Sequence, residues 1–162
     1  MEVFLPVFRQ LEAANVRYLA VGGLATVLHG HARFTADIDM IVHLEERNCR
    51  AAIETLTQLG FRPRAPVDPF DFADRSKREE WIRDKGLTVF SFYGTTGLPI
   101  EVDIFVTEPL DFDELWERRE DRLIEGVTIH LIDKASLIKL KSMSARPQDL
   151  EDIKALMELG DE

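Results

Sequence analysis

Residues 18–42 read YLAVGGLATVLHGHARFTADIDMIV, and this alternation of apolar and polar positions decides the fold. The apolar run 18–21 predicts a strand, Gly22-Gly23 a tight turn, residues 24–29 a short helix and residues 37–42 a second strand. Side chains alternate across a strand, so Asp37 and Asp39 share one face with Cα atoms roughly 6.5 to 7 Å apart. Carboxylates that close repel unless one ion neutralises both, and hard oxygen ligands suit Mg²⁺ or Mn²⁺. At the other end of the unit, a Gly-Gly turn opening a helix bares backbone N–H groups at the positive end of the helix dipole, a place for phosphate. The turn matches neither the dinucleotide pattern G-x-G-x-x-G nor the Gly-Lys-Ser/Thr of a P-loop.

Outward from this unit, Val3, Phe4, Val7, Phe8 and Leu11 recur at helical spacing, which predicts an amphipathic helix over residues 2–15 with Pro6 near its first turn. Residues 45–59 read as a covering helix closed by Gly60. Residues 61–74 hold three prolines and no period, the pattern of an ordered loop or a mobile flap, and residues 75–85 form a short charged helix carrying Trp81. Residues 87–93 and 100–106 predict a hairpin joined by residues 94–99. Its second strand puts Glu101 and Asp103 on one face and Ile100, Val102 and Ile104 on the other. Residues 111–119 read as helix and 127–132 as a final edge strand. Asp133 can cap a helix running to about residue 142, and Pro147 suits the first turn of a last helix ending at Gly160. The expectation is an α/β (α+β) fold, a mixed central sheet of about five strands flanked by helices. It forms one domain over residues 1–162, with C-terminal helices 133–160 packing on the core.

At 162 residues the chain suffices for one domain with a real core. A hydrophobic fraction of 45% and a charged fraction of 31% are ordinary for a soluble protein, and no apolar run reaches the roughly 20 residues that span a bilayer. The N-terminus lacks the basic and small-residue features of a signal peptide, and the single cysteine, Cys49, fits a reducing cytoplasm. A net charge of −10, from 20 basic and 30 acidic residues, opposes any broad grip on nucleic acid.

Gly22-Gly23, residues 24–36, Asp37-Ile38-Asp39 and a later Asp103 inside PIEVDIFV together resemble the signature of the polymerase beta nucleotidyltransferase superfamily. Within it the chain is similar to small bacterial nucleotidyltransferases of the AbiEii and minimal-nucleotidyltransferase type, on the pattern Gly30, Arg33, Thr35, Asp37, Asp39 and on residues 146–153, RPQDLEDI. Asp37 and Asp39 alone would be weak, since Asp-x-Asp arises by chance. The conjunction is stronger, because Asp is disfavoured in strands and three stand in two otherwise apolar ones.

The resemblance implies transfer of a nucleoside monophosphate from an NTP such as ATP to an acceptor hydroxyl on tRNA, a protein or a small molecule, often within a toxin–antitoxin pair that supplies a partner protein. It implies that Asp37, Asp39 and Asp103 are catalytic and hold Mg²⁺ or Mn²⁺, and that Gly22, Gly23, Arg33, Thr35 and Lys141 face the nucleotide. Glu101 shares a face with Asp103 and is the alternative third carboxylate; the family pattern favours Asp103. Lys139 rivals Lys141. Arg146, Asp149 and Asp152 read as a structural ion-pair and capping cluster, and His29 and His31 as packing or loop residues. Between Arg62 and Trp81, arginines interleave with aromatics in a way that could stack bases, although five acidic residues dilute the stretch. A non-catalytic nucleotide-binding or interaction module is the alternative function, and the intact carboxylates argue against it.

Overall fold

The computed structural model describes residues 1–97 and 99–160. In chain order it contains α1 (Leu5–Ala13), β1 (Tyr18–Val21), α2 (Gly22–Leu28), β2 (Asp37–Val42), α3 (Glu46–Gln58), β3 (Phe61–Pro63), a 3-10 helix (Pro69–Ala73) and α4 (Arg75–Lys85). There follow β4 (Val89–Gly94), β5 (Glu101–Phe105), α5 (Phe112–Arg118), β6 (Glu120–Ile124), β7 (Val127–Leu131), α6 (Lys134–Ser144) and α7 (Pro147–Glu158). The last helix therefore stops just short of Gly160.

The sheet is mixed as expected but has seven strands, not about five, in the order β3-β4-β5-β2-β1-β7-β6. The two extra strands are its edges. β3 has only three residues and ends on a proline, so it carries no period, yet Phe61 is fully buried and the strand pairs antiparallel with β4. β6 reads EDRLI and alternates only between half-buried and exposed positions, as a polar edge strand does. Its pairing moves β7 inward, between β1 and β6, so residues 127–132 are not an edge strand. The available signal was Glu125-Gly126, a two-residue connection with φ of 49° and 78°, the left-handed pair that closes tight hairpins.

The hairpin expected of residues 87–106 is formed by β4 and β5; Leu98 in its connection lies outside the described residues. The proline-bearing stretch after β3 is anchored, because Phe72 is fully buried and stacks on Phe90, as does Trp81 from α4. Those aromatics belong to the core and cannot stack a base.

Helices α1 and α3 pack beside each other, α1 against β7 and α3 against β2 and β3. From α1, Val7, Phe8 and Leu11 are fully buried, each contributing roughly 1.5–3 kcal/mol of burial free energy. α2 packs on β1 and β2 and meets α6, and α6 pairs with α7. The C-terminal helices thereby reach the unit formed by residues 18–42. No helix among the described residues is long and apolar enough to cross a membrane.

Candidate active site

Strands β2 and β5 are adjacent and parallel, with Asp39 opposite Asp103 and Asp37 opposite Glu101. Over residues 37–40 and 101–104 the faces alternate: Ile38, Met40, Val102 and Ile104 are fully buried on the apolar face, while Asp37, Asp39 and Asp103 are half-buried on the other. Neighbouring strands lie about 4.8 Å apart, so the sheet brings carboxylates from distant parts of the sequence side by side.

Gly22, the first residue of α2 just past the end of β1, closes this group. Its φ is +67°, and a Cβ there would overlap the Asp39 carboxylate and lie 2.9 Å from Asp39 Cβ. No other residue type fits that approach. A Cβ on Gly23 would come within 3.0 Å of Thr35 Oγ1, so the turn also lies against the loop that precedes β2. The Thr35 hydroxyl points to the Asp37 carbonyl at 3.5 Å.

The two candidate third carboxylates differ in their surroundings. Glu101 is ion-paired with Arg64, whose guanidinium also lies over the Tyr93 ring. The Asp103 Oδ1 atom is buried without a hydrogen-bond partner.

Arg33 and Lys141 meet at one atom. Arg33 Nη1 donates to Asp152 Oδ2 at 2.5 Å and Lys141 Nζ donates to the same oxygen at 2.8 Å, while Gln148 Nε2 donates to Oδ1 at 3.2 Å. Lys141 is buried and Lys139 exposed, which separates the two rival lysines. Asp149 caps α7, accepting from the Arg146 backbone N–H and side chain and from the Ser144 hydroxyl. His29 Nε2 lies 2.7 Å from the Ile132 carbonyl, a tie between α2 and the end of β7, and His31 Nε2 stands 3.9 Å from Asp152 Oδ1. Sequence reading missed the hub position of Asp152; its one signal was the acidic pair Asp149 and Asp152 at a helical i,i+3 spacing.

A family model described as a nucleotidyltransferase of unknown function (DUF6036) matches residues 6–159. The chain belongs to the DUF6036 family of nucleotidyltransferases. Solved structures share its fold. The lincosamide antibiotic adenylyltransferase LnuA, solved with lincomycin, superposes with a TM-score of 0.65 at 17% identity, covering 98% of this chain and 97% of that one. ANT(2")-Ia, in complex with adenylyl-2"-tobramycin, gives 0.60 at 13% identity over 96% and 87%. An antigenic nucleotidyltransferase-like protein from Paracoccidioides brasiliensis gives 0.59 at 18% identity over 96% and 74%. No curated protein matches the chain in sequence.

In this DUF6036 chain the carboxylates work against one another. Burial and then the charges of Asp103 and Asp37 push the Asp39 carboxyl up to about 6, although Lys141 and Arg146 pull it down. Burial also raises Asp103; Ser91, its neighbour across on β4, offsets this by hydrogen bonding, while Asp37 and Glu101 add to it. Burial alone would raise Asp152 as well, but bonding to Lys141, the Lys141 charge, Gln148 and Arg33 outweigh it and hold that carboxyl below its usual range. The site thus has an acidic wall that resists its own charge beside a basic cluster anchored on an ionised aspartate.

Proposed function

We propose that the chain transfers a nucleoside monophosphate from an NTP to an acceptor hydroxyl. The observation that carries this reading is the pairing of Asp39 with Asp103 across β2 and β5, with Gly22 packed on the Asp39 carboxylate. Asp37, Asp39 and Asp103 would hold Mg²⁺ or Mn²⁺. In support, Asp103 Oδ1 is a buried oxygen with no partner, and burial, with repulsion from Asp103 and Asp37 added to it, raises the Asp39 carboxyl. Among the described residues no three His, Cys, Asp or Glu side chains already form a metal-holding group, so ligation would have to draw the carboxylates in from neighbouring register positions. The bound ions would supply charge neutralisation at the triphosphate and at the attacking and leaving oxygens of an in-line displacement.

The chain's own residues bind and orient. The Gly22 and Gly23 amides, Thr35, Arg33 and Lys141 face the phosphates, and Asp103 takes the proton of the acceptor hydroxyl. The acceptor oxygen bonds to the α-phosphorus, the bond from that phosphorus to the oxygen bridging to the β-phosphorus breaks, and pyrophosphate leaves with the electron pair. Catalysis is positioning and charge compensation rather than covalent chemistry on the protein.

We assign this activity to one domain over residues 1–162, acting in the cytoplasm, and place the chain near the AbiEii and minimal-nucleotidyltransferase type. Its acceptor is a tRNA end, a protein or a small molecule, and a toxin–antitoxin pairing fits the first two.

Thermal unfolding with each of the four NTPs, with and without Mg²⁺, tests the reading. A ligand at 100 times its Kd adds about 2.7 kcal/mol, which raises Tm by about 5 to 10 °C at this chain length. The expected result is an Mg²⁺-dependent rise for one NTP that Asp39→Ala abolishes. No rise with any NTP overturns it.

A further inference from the structure

Resting on that reading, we propose that Asp152 is a positioning residue for the donor triphosphate: its buried carboxylate fixes Arg33 and Lys141 as one phosphate-facing pair. Three segments converge on it, namely the loop between α2 and β2 through Arg33, α6 through Lys141, and α7 through Asp152 and Gln148. Asp152 has no solvent exposure, and the side chains of Arg33 and Lys141 are 24% and 6% exposed. Both cations bond the same oxygen, Oδ2, so neither moves independently of the other.

The charge balance says what the cluster is for. Arg33, Lys141 and Arg146 face only Asp149 and Asp152 within it, and Asp149 is committed to Arg146 and the α7 cap. Against those two carboxylates one positive charge is left over, and its field reaches Asp39, whose carboxyl both Lys141 and Arg146 lower. Arg33 spends Nη1 on Asp152 and Nε on the Phe34 carbonyl. Its Nη2 atom has no bond among the described residues, which leaves one arm of the guanidinium for a phosphate oxygen.

The test is calorimetric binding of inorganic tripolyphosphate, and of the NTP with Mg²⁺, to wild type, Asp152→Asn, Arg33→Ala and the double variant. Asp152→Asn keeps the size of the side chain and removes its charge. The expected result is tenfold or greater weakening of tripolyphosphate binding by Asp152→Asn in the wild-type background and a smaller factor in the Arg33→Ala background, where only the hold on Lys141 is left to lose. Unchanged or tighter binding in Asp152→Asn overturns the proposal, as does an equal effect in both backgrounds. Should Asp152→Asn fail to fold, Arg33→Lys decides: it keeps the charge and the bond to Asp152 but lacks the second arm. It is expected to lose at least tenfold, and wild-type affinity in it overturns the proposal. If wild type binds neither tripolyphosphate nor the NTP, the nucleotidyltransferase reading itself fails; if wild type binds and only the variants disagree, Asp152 alone is misassigned.

Discussion

Asp39 occupies a place that penalises its own charge, and the penalty has a definite pH signature. Its folded carboxyl is raised from 3.8 to about 6, so between these values the folded chain holds a proton that the unfolded chain has released. Stability from this group is therefore complete below about pH 4 and lost as pH rises through about 6, on the order of 3 kcal/mol by pH 8. Asp39→Asn removes the titration while keeping the shape. Without metal, it is expected to be more stable than wild type at pH 8 and nearly equal to it at pH 4, measured by urea unfolding; taking the difference cancels the carboxylates that do not interact with Asp39. Turnover should fall on the order of 10²-fold or more with the loss of a preorganised charged group. A variant both less stable at pH 8 and fully active would contradict the role assigned to this carboxylate.

Strands β2 and β5 turn scattered aspartates into a site, and their register makes a prediction about which carboxylate on β5 matters. Asp103 stands opposite Asp39 with a bare buried oxygen, whereas Glu101 is occupied by Arg64. Asp103→Ala should abolish nucleotidyl transfer and Glu101→Ala should retain most of it, compared by pyrophosphate release. The reverse pattern would move the third carboxylate two residues along the strand. Much of this was legible beforehand, because alternation fixes which residues of 37–42 and 100–106 share a face, and apolar flanks fix which face is buried. The pairing of β2 with β5 could only be expected from resemblance, since no local pattern encodes which strands neighbour one another. The edges were harder to read for a related reason, with Glu125-Gly126 the one hairpin signal, for β6. β3 is too short to show a period, and β6 is polar because an edge strand must not invite further pairing. Asp152 was visible as part of a capping and ion-pair cluster, but its bond to Arg33, 119 positions away, is a product of packing.

Across the whole molecule, the distribution of charge bears on the acceptor. Net charge is −10, and most of the cations in the stretch whose arginines and aromatics offered a surface for nucleic acid are paired, with Arg62 left exposed. Arg64 pairs with Glu101, Arg75 with Glu79 and Lys77 with Glu80, while Arg78 is buried, donating to the Phe72 carbonyl. Phe72 and Trp81 lie in the core. A polynucleotide would meet a repelling field with little to compensate it there, because its affinity depends on phosphates neutralised by free cations and Arg62 is a single exposed one. The balance favours a protein or a small cationic acceptor over tRNA. Deacylated tRNA is expected to show no measurable binding at 150 mM salt by filter retention, and Mg²⁺ with the donor NTP should not rescue it. A polyamine-bearing small molecule with a free hydroxyl should instead raise Tm further in the presence of the NTP, the sign of an acceptor seated beside the acidic wall. Salt-sensitive tRNA binding in the micromolar range would reverse the order of the two acceptor classes and place a basic surface outside the stretch from Arg62 to Trp81.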